Sequence, residues 1–139
     1  MSRLRLGLEM DGTSRGRLVR DIVAGIRHLN AVRGALLVAP DGFIIAAEVP
    51  PTVAVEPLAA LVATLGRDLE TGASRLGRSA LQTALFSADD ATLVLAPSRL
   101  GFLVALAERA ANLPALRNAL DEAVTLLESA WGPPAPSAT

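Results

Sequence analysis

Two short apolar runs, residues 34–39 and 43–48, stand on either side of Pro40-Asp41-Gly42. Proline presets φ for the first turn position, aspartate suits the second, and glycine accepts the left-handed backbone that a three-residue hairpin loop requires. The pattern predicts an antiparallel hairpin. Nearly every residue of both runs is apolar, whereas a strand with one wet face alternates. A sheet built on this hairpin must therefore be covered on both faces, which calls for helices above and below it.

The rest of the chain supplies those helices. Over residues 14–32, Leu18, Ile22, Ile26 and Leu29 recur at helical spacing, with Arg17, Arg20 and Arg27 on the opposite face. Ser14 or Thr13 is the expected N-cap and Gly34 the stop. A second helix is expected over residues 55–76, with Pro57 tolerated in its first turn. Leu58, Leu61, Val62, Leu65 and Leu69 form its apolar face, and Ala59, Ala63 and Gly66 form a ridge of small residues beside them. Gly72 and Gly77 are points of loosening or termination.

Three further strands are expected at 80–86, 91–96 and 102–107, turned by Asp89-Asp90 and by residues 97–101. A last helix begins after Asn112, a good N-cap, with Pro114 in its first turn and Leu113, Leu116, Leu120, Val124 and Leu127 on one face; Trp131 closes it. The order helix, two strands, helix, three strands, helix predicts an antiparallel α+β fold: a three-layer sandwich with a five-stranded sheet at its centre. Residues 14–131 form one domain. Residues 1–13 are an N-terminal arm whose Arg3-Leu4-Arg5-Leu6-Gly7-Leu8-Glu9 alternates polar and apolar, as an edge strand, a partner-contacting arm or a frayed end. Residues 132–139, with three prolines, are an expected disordered tail.

Most catalytic chemistry is excluded by residue type. The 139 residues contain no cysteine, so disulfides, thiolate metal sites and cysteine nucleophiles are ruled out. All 13 basic residues are arginine, which removes lysine nucleophiles and Schiff bases. The single histidine, His28, falls on the solvent side of the first helix, so neither a two-histidine zinc site nor a Ser-His-Asp relay can be assembled in one chain. Asp89-Asp90 and Asp41 read as turn residues, and Asp121-Glu122 as a solvated pair on the last helix. Gly72-x-x-x-x-Gly77 followed by Arg78-Ser79 lacks the lysine of a phosphate-binding loop and runs from helix to strand, the reverse of the required order. No catalytic residue, cofactor or metal is expected, and the chain reads as a non-enzyme.

Charge is distributed unevenly. The formal net charge is −1, yet residues 1–33 hold seven arginines and three acids while the remainder is net acidic. A basic face on the first helix is either a solvated surface or a contact for an acidic partner. Nucleic acid is disfavoured, because the domain is mildly acidic and only 3% aromatic. The longest charge-free runs of the body are too short for the ~18 residues of a spanning helix, and charges interrupt any leader-like stretch at the start. A cytoplasmic location is the expectation.

Three stretches carry a resemblance: Val-Arg-Gly-Ala-Leu-Leu-Val-Ala-Pro-Asp-Gly-Phe-Ile-Ile-Ala-Ala from Val32, Ala-Thr-Leu-Val-Leu-Ala-Pro from Ala91, and Phe-Leu-Val-Ala-Leu-Ala-Glu-Arg-Ala-Ala-Asn-Leu-Pro-Ala-Leu-Arg from Phe102. In this order and spacing they make residues 16–128 similar to the Roadblock / dynein light-chain family, in its bacterial MglB-like form. The resemblance implies a five-stranded antiparallel sheet with the middle helix on one face and the terminal helices on the other. It further implies a homodimer formed by edge-to-edge pairing of third strands with the middle helices side by side. That assigns Ala80, Leu81, Gln82, Thr83, Ala84, Leu85 and Phe86 to the strand junction and Ala59, Ala63 and Gly66 to the helix contact, although the ridge also reads as core. Function by resemblance is regulatory: a scaffold or regulator of a small Ras-like GTPase in signalling, polarity or motility, with Arg67, Asp68, Glu70, Thr71 and Arg75 facing the partner. The rival reading is a sensory module of PAS, GAF or profilin-like type, with Gln82, Thr83, Thr92 and Ser98 as the polar groups of a small-molecule pocket.

Overall fold

The computed structural model describes residues 12–77 and 81–130. The chain folds as α1 (Gly12–Arg27), β1 (Val32–Val38), β2 (Ile44–Glu48), α2 (Val55–Arg75), β3 (Ala84–Ser87), β4 (Ala91–Pro97), β5 (Phe102–Glu108) and α3 (Leu113–Ala130). The strands form one antiparallel sheet in the order β2-β1-β5-β4-β3, so β1 and β5 lie at its centre and β2 and β3 at its edges. The expected α+β three-layer architecture is the observed one.

Side-chain alternation sorts the strands into two cores. Val32, Ala35 and Leu37, Val94 and Ala96, and Leu103, Ala105 and Ala107 meet α1 and α3. Leu36 and Val38, Leu95, and Phe102 and Val104 meet α2. Leu36 and Leu37 are adjacent in sequence and both wholly buried, one in each core. This double burial is why the central strands are apolar at nearly every position, Arg33 and Glu108 being the exposed exceptions.

The β1–β2 turn forms as its residues dictate. Gly42 takes φ +94°, its amide donates to Ala39 O at 2.9 Å, and Ala39 N donates to Phe43 O at 2.8 Å. Asp41 Oδ1 accepts from Phe43 N. A bulge between Leu37 and Val38 then separates Ile44, on the α2 side, from Ala46, on the α1 side.

The first helix departs from expectation at both ends. It already includes Gly12 and Thr13, so Ser14 lies inside it rather than capping it, and it stops at Arg27, well before Gly34, which is a strand residue. The stop is made by tertiary bonds. Arg27 Nη1 donates to Val32 O, Ala31 adopts φ 66°, and Glu108 N donates to Ala31 O at 2.8 Å. At α3, Asn112 is the cap expected: its Oδ1 accepts from Ala115 N at 3.0 Å.

The α1–β1 connection ends beside the β5–α3 connection, because Val32 pairs with Ala107 and one cavity is lined by Leu29, Asn30, Asn112 and Leu116. The C-terminal end of α1 therefore meets the N-terminal end of α3, and the two helices run antiparallel across the sheet. Among the described residues, no helix is long and apolar enough to cross a membrane.

Candidate functional site

Three positions that the sequence reads as without catalytic chemistry are placed as follows. His28 is exposed just after α1. Asp89 and Asp90 turn β3 into β4, where Ala88 N donates to Ala91 O and Arg109 Nη1 donates to Asp89 O. Gly72 lies inside α2, while Arg78 and Ser79 are outside the described residues. No group of three metal-ligating side chains occurs among the described residues.

The polar groups named for a sensory pocket do not converge. Thr92 is buried and its hydroxyl lies 3.2 Å from that of Ser87. Ser98 Oγ donates to Gly101 O within the β4–β5 turn. Gln82 lines a cavity that none of the other three borders, at the junction of α3 with the β4 edge, together with Asp121, Thr125 and Glu128.

Helix α2 is the element on which the sequence placed most of its candidate residues, and its two flanks differ. On one side Ala60 lies against Gly42, and Arg67 Nη1 donates to Pro40 O at 2.7 Å, so this flank faces the β1–β2 hairpin. Leu58 is on the opposite flank, away from the hairpin and so toward the β4–β3 side of the sheet, where it lines a cavity with Arg33, Pro50, Val53, Ala91 and Leu106. Leu61, Leu65 and Leu69 follow Leu58 along that flank, with Leu65 and Leu69 half-buried and Leu61 51% exposed. From Arg67 onward no residue of α2 is fully buried, and Leu76 beyond its end is 79% exposed. The helix overhangs its own core, carrying the leucine row with it.

Two expectations are corrected here. The ridge Ala59, Ala63 and Gly66 is core: the first two are almost wholly buried, and a Cβ added at Gly66 would lie 2.5 Å from Phe102 Cζ. These residues are small because the sheet presents a phenylalanine ring beneath the helix, so they cannot also touch a second helix. Conversely, Leu61, expected on the apolar face of the helix, is on the open flank.

The third strand is also shorter than expected. β3 comprises only Ala84, Leu85, Phe86 and Ser87, paired with Leu95, Val94, Leu93 and Thr92. Leu81, Gln82 and Thr83 precede the strand, and Leu81 is packed against the α2-side core; Ala80 lies outside the described residues. Leu85 is 40% exposed and Phe86 nearly as much, at an edge with no strand beyond it among the described residues. Register puts Phe86 on the same sheet face as α2 and Leu85 on the opposite face. The overhanging leucines and the β3 edge thus form one apolar margin of the molecule.

Arg67, Asp68, Glu70, Thr71 and Arg75 are all exposed, and Arg67 is tied to the hairpin turn. On α1, Arg17 and Arg20 are exposed while Arg27 is half-buried against the β1 backbone, so the basic face is smaller than the sequence implied.

No protein-family model matches the chain. The comparison with solved structures decides the architecture. MglB of Myxococcus xanthus superposes with a TM-score of 0.75 at 15% identity, covering 81% of this chain and 86% of that one. The gliding protein MglB of Thermus thermophilus gives 0.74 at 20% identity, covering 82% and 88%. A Roadblock/LC7 domain from Streptomyces avermitilis gives 0.71 at 18% identity, covering 78% and 92%. The chain has the Roadblock/LC7 fold. At these identities the likeness concerns backbone architecture, and the Roadblock-like domain must be assigned a role from its own surfaces.

Proposed function

We propose that this Roadblock-like domain is a non-enzymatic homodimeric scaffold that regulates a small Ras-like GTPase, as part of a gliding, polarity or signalling system. The observation that carries the reading is the apolar margin formed by the β3 edge and the overhanging flank of α2. An unpaired edge strand with exposed Leu85 and Phe86 is an aggregation hazard unless something pairs with it. A two-fold axis through that edge pairs β3 with its copy and brings the Leu61, Leu65 and Leu69 flanks together, because an isologous contact presents the same surface twice. The interface is therefore built from Leu61, Leu65, Leu69, Ala84, Leu85 and Phe86, in place of the buried small ridge.

Pairing in this way lays two α2 helices side by side and turns their outer faces, with Asp68, Thr71 and Arg75, into one continuous platform for the GTPase. The fold shared with MglB, one example of which is a gliding protein, supports the gliding or polarity setting, and the choice of a GTPase as partner rests on the family resemblance of the sequence. Light scattering on the eluted protein should give about twice the 14.4 kDa chain mass. Immobilised protein should retain a GTP-loaded Ras-like GTPase encoded beside it, with its hydrolysis rate measured in the same samples. A monomer that retains no such GTPase sinks the reading.

A further inference from the structure

The face of the sheet opposite α2 carries a second apolar surface. Between the antiparallel helices α1 and α3 runs a groove of about 400 Å³, floored by Ile22, Ile26 and Ala123 and flanked by Leu18, Leu29 and Leu126. Leu126 is 55% exposed and Leu29 36%. Gly25 lies on the same groove, and nothing in the chain fills the space around a Cβ placed there. A glycine inside a helix weakens it, and this one serves no contact of its own core. It keeps the face low where another helix would pass.

The two helices that form the groove differ in charge. α1 carries Arg15, Arg17, Arg20 and Arg27 against Asp21, whereas α3 carries Asp121, Glu122 and Glu128 against Arg117. Arg17, Arg20, Asp121 and Glu122 are all exposed. A surface that sets a basic helix beside an acidic one is complemented by the same surface turned around. We infer that a second copy of the chain docks here about a two-fold axis running along the helices, which lays each α1 on the α3 of the other copy.

The heights of the residues fit this axis. Leu29 lies beside Ala115, and because both helices rise equally, Leu18 is then level with Leu126 and Gly25 with Ala119, all four lining one groove. An axis along the helices preserves every height. Leu18 therefore meets the second copy's Leu126, and Gly25 meets its Ala119. Arg20 comes within about one helical turn of the second copy's Asp121 and Glu122, with Arg17 about one turn beyond. Arg17 also stands four residues before Asp21 on its own helix and offsets that acid. An axis across the helices would instead stack α1 on α1 and oppose like charges. The contact uses no residue of the β3 margin and does not depend on it.

Sedimentation velocity on the full chain tests the contact. In about 50 mM salt, raising the protein from about 5 to 500 μM should carry the mass from two chains toward four, and about 0.5 M salt should lower it again by screening the charged rim. Leu126→Glu should hold the mass at two chains at every concentration. Arg17→Glu with Arg20→Glu should raise the concentration for half-association about tenfold, and adding Asp121→Arg with Glu122→Arg should restore it. Leu85→Lys with Phe86→Lys separates this contact from the β3 seam, because that variant should still reach two chains at high concentration. A mass that never exceeds two chains, association that survives Leu126→Glu, or a charge swap that restores nothing would each overturn the assignment. Far-ultraviolet circular dichroism on every variant confirms that the readout comes from folded protein.

Discussion

The two edges of the sheet are built in opposite ways. β2 ends at Glu48, is followed by Pro50-Pro51, carries a bulge opposite Leu37–Val38, and contributes Ile45 and Ala46 to the core beneath α1. A charge, a bulge, a proline pair and a covering helix are the devices that stop an edge strand from recruiting another chain. β3 has none of them: Ala84–Ser87 is uncharged, pairs in regular register and leaves Leu85 and Phe86 half open. The flanks of α2 repeat the contrast, tied by Arg67 to the β1–β2 turn on one side and exposing leucines on the other. One edge of the molecule is finished and the other is prepared for an addition.

Breaking the contrast should be most visible at β3. Leu85→Lys with Phe86→Lys places two charges at the proposed seam and should raise the dimer dissociation constant at least about tenfold, read by sedimentation equilibrium. Next in size, Gly66→Val forces a side chain into the Phe102 ring and should cost about 2 kcal/mol in urea unfolding. If the ridge is core, as its burial indicates, the same variant keeps the dimer mass at protein concentrations where it is folded. Arg67→Ala removes the bond to Pro40 O and should cost about 0.5–1 kcal/mol by the same measurement. Smallest of all, Ala47→Lys on the exposed part of β2 should change stability by less than about 0.5 kcal/mol and leave the mass untouched. Loss of the dimer in Ala47→Lys with none in the β3 variant would reverse the roles of the two edges.

The layered fold was legible because its signals are local. Pro40-Asp41-Gly42 is a turn by backbone chemistry alone, and strands that are apolar at nearly every position call for cover on both faces. What sequence patterns missed was set by contacts that no periodicity or turn residue marks. The end of α1 depends on Arg27 reaching Val32 O and on Glu108 N bonding Ala31 O, and neither bond leaves a glycine to mark the spot. Leu81, Gln82 and Thr83 read as strand, yet Leu81 is drawn into the core under α2. The small ridge was ambiguous for a geometric reason: close approach demands the same residues whether a helix or a sheet lies opposite. Only the position of Phe102 distinguishes the two, and its spacing from Gly66 along the chain carries no such information. Leu61 was hidden among the other leucines, since helical periodicity marks an apolar stripe without saying which part of it overhangs.

The central seam of the sheet, where Leu36 pairs with Val104, joins residues separated by about half the chain. On one side of that seam everything is contiguous, a helix and a hairpin; on the other, a meander and a helix. Local hairpins form quickly, whereas joining β1 to β5 requires closing a long loop before any of its contacts are gained. Leu36, Leu37, Leu103 and Val104, all wholly buried, are thus among the residues that must find each other across the longest span. Until they do, each half exposes a central strand apolar on both faces, so the newly made chain is most at risk of sticking to its neighbours in the interval before its two halves close.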